Sequence, residues 1–468
     1  MGSLLSHNRR QPNQFNIIDE LPQVAVDEIL SNFTPPELAK YILPVCKRWN
    51  QLAQNERFYR QLTINCLTSS PPVSSCSSAD NHAERCWQSL ASYIRRHRST
   101  IEEITFNFGS DQPTINLRLT EFYGTIFSST DLVQLSNVRR VNIEKHCLMS
   151  ETVAEIIANA CPNVSVLQIC NCYSITDQCL RLIGDHWRTT LTSITLIYCT
   201  KLTAVGMYDF LSLLPNGQLS SLTITQTPDH DTFYRLSPAI LNELTSIDLY
   251  CTKLTDLTIE FLCESASPKL SHITFHDCEG LTDRSLEAIG NISSLIQLRL
   301  GSSTRFTRSG LESLVLSPKL RNSLQVLELF GEAINDRCAQ SIALNLPLLK
   351  ELYMYECSLT DIGFDALWSG VGGSEDSRPL RILIISCRND IALDTFICQH
   401  PTSLPKLRLL KLLTGKLQPE MLATLSTARA EDSNCYPHLN IKAFFHGRRG
   451  LANVVLRDLN VTKYSDDR

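Results

Sequence analysis

A pattern of apolar residues that restarts about every 25 to 29 positions constrains this chain more than any other feature. Its clearest copy runs from Leu270 to Gly290, LSHITFHDCEGLTDRSLEAIG. Leu270, Ile273 and Phe275 are spaced Leu-x-x-Leu-x-Leu; Cys278 follows three residues on, then Leu281-Thr282-Asp283, Leu286 and Ile289. The first part alternates at period two, as a short strand with one buried face does. Leu286 and Ile289 recur at helical spacing behind Thr282 or Asp283, either of which can cap a helix. One copy is therefore a strand, a turn and a helix.

With Leu270 as the first position, copies begin at Ile101, Val138, Val164, Leu191, Leu219, Leu244, Leu270, Leu295, Leu324, Leu349, Leu380 and Leu407, with a degenerate one at Leu439. A unit of this length repeated in this way is a leucine-rich repeat. The predicted fold is α/β: a solenoid, or horseshoe, with a parallel β-sheet on the concave face and helices on the convex face. Each repeat buries its apolar side against its neighbours, so 468 residues need not divide into several compact cores.

In each strand the third, fifth and seventh positions point away from the buried leucines, toward the concave side. The seventh positions read Tyr250, His276, Gly301, Phe330, Tyr355, Ser386 and Leu413; the fifth read Asp248, Thr274, Arg299, Glu328, Tyr353, Ile384 and Lys411. Rings concentrate between the repeats that begin at Leu244 and Leu349, a span of roughly 20 Å at about 4.8 Å per strand. Tyr250, His276, Phe330, Tyr353 and Tyr355 are thus the candidate binding residues for a protein target. Asp248, Glu328, Glu351 and Glu356 lie among them, which favours a basic partner. The alternative is that the rings only stack on one another along the ladder.

Charge and motifs exclude other classes. A net charge of −5 argues against nonspecific nucleic-acid binding, and an RNA-binding solenoid would need a basic concave stripe. No apolar run has the length of a membrane span, and no secretory signal opens the sequence. Of 18 cysteines, Cys172, Cys199, Cys278 and Cys357 share the ninth repeat position and Cys251 and Cys387 the eighth; they read as reduced structural thiols. There is no Cys-x-x-Cys, nucleophile elbow, phosphate-binding glycine loop or His-Glu-x-x-His, so no enzyme, metal site or cofactor is expected. Cys66, Cys76, His82 and Cys86 match no zinc spacing. His272 and His276 share a strand face, but four residues of strand, roughly 13 Å, separate them too far for one metal.

Before the repeats the sequence changes character. Residues 1–16 are polar and read as a disordered tail, in which Met1-Gly2-Ser3-Leu4-Leu5-Ser6 fits N-myristoylation of Gly2; membrane contact is expected only through that acyl group. From 17 to 64 three short apolar-faced helices are predicted. Leu21-Pro22 opens the first, Pro36 the second, and Val45, Trp49 and Leu52 mark the third. So much apolar surface on so small a unit calls for a partner.

Leu21-Pro22, Ile29-Leu30, Pro36-Glu37-Leu38, Val45-Cys46-Lys47-Arg48-Trp49, Leu52-Ala53 and Phe58-Tyr59-Arg60 resemble an F-box, the module by which substrate receptors dock on the Skp adaptor of Skp–cullin–F-box ubiquitin ligases. Two features depart from the family pattern: Pro44, placed at a helix boundary, and Phe58-Tyr59 where Leu-Trp is usual. The resemblance implies that Leu21, Pro22, Ile29, Leu30, Leu38, Val45, Cys46 and Trp49 make or support the adaptor contact. A Ser- and Pro-rich linker is expected at 65–83, a capping helix for the solenoid at 84–100, repeats over 101–438, and a C-terminal cap and tail at 439–468. Gly- and Ser-rich 369–379 should project as a loop. The resemblance also implies a non-catalytic, cytoplasmic or nuclear receptor partnered by Skp, cullin and a protein substrate. The rival expectation is a repeat scaffold or inhibitor that acts without a ligase.

Overall fold

The structure is a computed structural model that describes residues 60–65, 78–107, 119–127, 134–145, 149–225, 237–250, 254–266, 269–301, 305–367, 379–387, 409–414, 440–445 and 453–455. The candidate adaptor residues from Leu21 to Trp49, Gly2, and most of the expected linker and of the 369–379 loop lie outside them.

Among the described residues fifteen strands form one sheet whose spatial order is the chain order: β1 (Gln61–Asn65), β2 (Glu103–Asn107), β3 (Arg140–Glu144), β4 (Val166–Cys170), β5 (Ser193–Ile197), β6 (Ser221–Thr225), β7 (Ser246–Tyr250), β8 (His272–His276), β9 (Gln297–Leu300), β10 (Val326–Phe330), β11 (Glu351–Cys357), β12 (Ile382–Cys387), β13 (Leu409–Thr414), β14 (Asn440–Phe445) and β15 (Asn453–Val455). Every neighbouring pair is parallel except β14 with β15, which is antiparallel. A helix follows most strands and packs on the helix of the next repeat.

The Leu-x-x-Leu-x-Leu spacing produces this order directly. In β7 the exposure alternates, with Ile247 and Leu249 fully buried and Ser246, Asp248 and Tyr250 partly open. Leu244, the first position, is buried too, as are Leu270, Leu295 and Leu324. Each such side chain is worth roughly 1.5–3 kcal/mol when fully buried, so the stacked core rather than any one helix holds the repeats together.

Both ends extend past the expected repeats. β1 pairs in register with β2, so Gln61–Asn65 starts the sheet rather than closing the helical module. The helix Ser78–His97 lies between β1 and β2 in the chain and begins inside the expected linker. At the other end the degenerate repeat at Leu439 supplies β14.

Two local devices recur. The eighth position, where the chain leaves the strand, is left-handed at Lys145, Asn171, Tyr198, Asp277 and Glu356, with φ between 50° and 55°. Each costs an L-residue about 1–2 kcal/mol, and after Asn171, Tyr198, Asp277 and Glu356 the next residue is a buried cysteine. Cys199 and Cys278 donate back to the carbonyls of Ile169 and Leu249 on the preceding strand, at 3.6 and 3.7 Å.

The second device decides between the two capping residues that the sequence offered. Thr176, Thr203, Thr282, Thr307, Asn335 and Thr360 cap the helices themselves. Asp177, Asp256, Asp283 and Asp336, each one residue past a threonine or asparagine, reach the next repeat instead. Asp177 accepts from the backbone N–H of Thr203 at 2.9 Å and from its hydroxyl at 2.6 Å. Asp256 binds Thr282, Asp283 binds Thr307 and Asp336 binds Thr360 in the same two-point way. The clasp needs a small residue three positions past the threonine. A Cβ on Gly206, Gly310 or Gly363 would lie 2.0–2.3 Å from the clasping aspartate. At Asp256 that residue is Ser285, whose hydroxyl adds a bond of 2.5 Å.

Candidate functional site on the concave face

Register brings the fifth positions into one row across the sheet, Asp248, Thr274, Arg299, Glu328, Tyr353, Ile384 and Lys411. The seventh positions form a second row, with Tyr250 opposite His276 and Phe330 opposite Tyr355. All five candidate binding residues therefore lie on the concave side of β7, β8, β10 and β11.

The two rows are cross-linked. Tyr250 and His276 stack with centroids 5.1 Å apart and planes 3° from parallel. His276 leans over Gly301, where a Cβ would sit 1.7 Å from its Nδ1, and its Nε2 comes within 3.7 Å of Glu328 Oε1, two strands away. The other oxygen of Glu328 accepts from Arg299 Nη1 at 2.8 Å. The Arg299 guanidinium lies over the Tyr353 ring, 5.3 Å from its centroid, and Tyr353 donates its hydroxyl to Glu351 at 2.8 Å. Phe330 and Tyr355 meet at 6.5 Å with a tilt of 37°.

This geometry changes the expected electrostatics. Glu328 is buried and already matched by the Arg299 guanidinium, so it does not offer a free negative charge to a ligand. Asp248 accepts from Thr223 Oγ1 at 3.2 Å and Glu351 from Tyr353; neither meets a cation in an ion pair among the described residues. Acidity toward a ligand is thus concentrated at the two ends of the array.

The tyrosine hydroxyls are kept protonated. Burial first, then the neighbouring carboxylate, raises Tyr250 beside Asp248 and Tyr355 beside Glu328 above the usual phenol range. Tyr353 is pushed up to about 12 by burial and its bond to Glu351. Within this array the Nε of Arg299 is buried with no hydrogen-bond partner. Among the described residues no group of three or more His, Cys, Asp or Glu could hold a metal ion, and no helix is long and apolar enough to cross a membrane.

No family model matches the sequence. Among solved structures the chain is similar to a chain of the yeast Rad7–Elc1 complex, with a TM-score of 0.50 and 15% identity over 87% of this chain and 97% of that one. The chain is a leucine-rich-repeat solenoid. It is also similar to an internalin, InlF of Listeria monocytogenes, with a TM-score of 0.37 and 13% identity over 78% of this chain and 88% of the other.

The solenoid presents one further contact that reading by columns missed. Arg299 and Gly301 join the Tyr250–His276 stack to Tyr353, Arg299 by its charge and Gly301 by its lack of a side chain. A glycine in a column otherwise rich in rings is the signal that was available. On the convex side Arg284 grips Glu260 with two bonds of 3.1 Å, an outward pair that ties adjacent helices and leaves the concave array untouched.

Proposed function

We propose that the protein is the substrate-recognition subunit of a Skp–cullin–F-box ubiquitin ligase. The N-terminal helical module, residues 17–60, docks on the Skp adaptor, and the concave face of the solenoid binds the target protein. The chain supplies no catalytic residue and needs no cofactor; it acts by proximity, holding the target near a ubiquitin-charged enzyme brought by the other subunits. It works in the cytoplasm, the nucleus or both.

The observation that carries the reading is the clustering of Tyr250, His276, Phe330, Tyr353 and Tyr355 beside the Arg299–Glu328 pair, four partly open rings and an imidazole on one sheet. Rings held in place lose little entropy on binding and are common anchors of protein interfaces. The array spans about five strands, roughly 20 Å, enough for an extended segment of several residues. The F-box resemblance of the N-terminal residues gives the second half of the reading, and Rad7, which shares the fold, is itself seen in complex with another protein, Elc1.

Direct binding tests the docking half. Purified chain should bind purified Skp adaptor, and a Leu21→Ala/Pro22→Ala variant of unchanged thermal stability should not. No binding by the intact chain would favour a repeat scaffold or inhibitor that acts without a ligase.

A further inference from the structure

The thiols of Cys357 and Cys387 differ from the other cysteines that close the strands. Cys199 and Cys278 turn their sulfurs back to a carbonyl of the preceding strand. Cys357 turns forward, donating toward Ser386 O at 3.3 Å, and its sulfur lies 3.2 Å from that of Cys387. The cause is a register shift. β11 and β12 run in step as far as Met354 and Ile385, and one additional residue of β11 then sets Cys357 opposite Cys387. Left-handed Glu356, with φ of 50°, is where the chain absorbs it.

We propose that this pair is an oxidation site at which a peroxide joins β11 to β12 through an intrachain disulfide. Neighbouring strands lie about 4.7–4.9 Å apart, inside the range of about 4.4–6.8 Å between Cα atoms that a disulfide requires. Closing the bond needs the sulfurs to approach by only about 1.2 Å, to a length of about 2.05 Å. Cys357 is fully buried and Cys387 is 7% exposed, at the end of its strand, so a small oxidant enters from the Cys387 side.

The chemistry balances with hydrogen peroxide as the named oxidant. The Cys357 thiolate attacks one peroxide oxygen; the O–O bond breaks, the departing hydroxide takes up a proton as water, and a sulfenic acid remains. The Cys387 sulfur then attacks that sulfenic sulfur, the S–O bond breaks, and a second water leaves with the Cys387 proton. Two thiols lose two electrons and the peroxide gains them. The bond donated by Cys387 favours the thiolate at Cys357 and holds it below the usual thiol range, whereas burial pushes Cys161, Cys263 and Cys338 up to about 12. Peroxide therefore selects this pair from the buried thiols.

The full chain is reduced, exposed to hydrogen peroxide, denatured with an alkylating reagent, digested without reductant and mapped by mass spectrometry. The expected product is one cross-linked peptide pair holding Cys357 and Cys387, lighter than the two thiol peptides by about 2 Da and restored by dithiothreitol. Oxidation should raise the melting temperature of the native protein by several degrees and leave that of Cys387→Ser unchanged. Both thiols remaining open to alkylation, when free glutathione in the same tube is fully oxidised, overturns the proposal. A bond from Cys357 to any other cysteine overturns it equally. The native chain decides the matter even if a serine variant fails to fold.

Discussion

His276 lies over Gly301, and it reaches Glu328 on the next strand but one because Gly301 has no side chain to stop it. The stack of Tyr250 on His276 and the Arg299–Glu328 pair are thereby one unit instead of two. A methyl group on Gly301 would fall inside the imidazole.

Gly301→Ala should accordingly destabilise the protein by about 1–3 kcal/mol in urea unfolding, the usual cost of overpacking a closed contact. His276→Ala should relieve most of that cost. A double-mutant cycle measures it, with strong coupling expected between the two positions. Additive effects would show that His276 moves aside freely.

Glu328 is the pivot of the array. Glu328→Ala leaves the Arg299 charge without its partner. For a fully buried pair that loss costs about 3–5 kcal/mol. With the Arg299 side chain 31% exposed, the expected loss is smaller, about 1–3 kcal/mol, since water screens what remains. Chemical unfolding of Glu328→Ala beside Arg299→Ala/Glu328→Ala checks this, and the double variant should be the more stable of the two.

The aspartate clasps predict a test far from the concave face. Gly310→Ala places a Cβ against Asp283, which holds both the N–H and the hydroxyl of Thr307. A fall of about 1–3 kcal/mol is expected, with the adaptor and target contacts unchanged. The same substitution at Gly331, where φ is 119° and nothing lies within 4 Å, strains the backbone without touching a clasp. Combining Gly310→Ala with Asp283→Ala should therefore recover stability, and adding Asp283→Ala to Gly331→Ala should not.

Stability should fall at both ends of the pH scale. Burial raises Cys161, Cys263 and Cys338 to about 12 and Cys172 to about 11, from an ordinary value of 9.0. Groups raised on folding contribute stability that is complete below pH 9 and is lost as pH climbs toward 12. Asp256 runs the other way. Burial pulls its carboxyl up, but the bonds from Ser285 and Thr282 outweigh that and hold it below the usual range, so its contribution is present above about pH 4 and is lost on acidification. Melting temperature against pH should show a plateau with losses on either side. A melting temperature that keeps rising above pH 9 would contradict the alkaline part.

Much of this was legible in the sequence. The repeat starts at Leu244, Leu270, Leu295 and Leu324 are buried, and the fifth and seventh positions fall in register as spacing alone requires, because a strand's period of two leaves no choice of face. The first strand was not legible: QLTIN offers a single alternation and is cut off from the next strand by a Ser- and Pro-rich stretch. The clasps were missed because each aspartate finds its partner 24 to 26 residues away, and local reasoning gives it the nearer helix end. The pairing of Glu328 with Arg299 is likewise a contact between repeats, so charge counted by column overstated the acidity of the face. At Glu356 one additional residue shifts the register, and the trace of it in the sequence is the ninth-position Cys357 against the eighth-position Cys387.

The most direct measurement crosses the two proposed surfaces in one experiment. Intact chain, Leu21→Ala/Pro22→Ala, Phe330→Ala/Tyr353→Ala/Tyr355→Ala and the combined variant are each purified from cells under proteasome inhibition, and bound proteins are quantified by mass spectrometry. The expected result is separation: the first variant loses the Skp adaptor and cullin but keeps a defined set of targets, the second loses those targets but keeps adaptor and cullin, and the combined variant loses both. Full recovery of adaptor and cullin with the first variant, or of every target with the second, would contradict a receptor that docks by its N-terminal module and captures by its concave face.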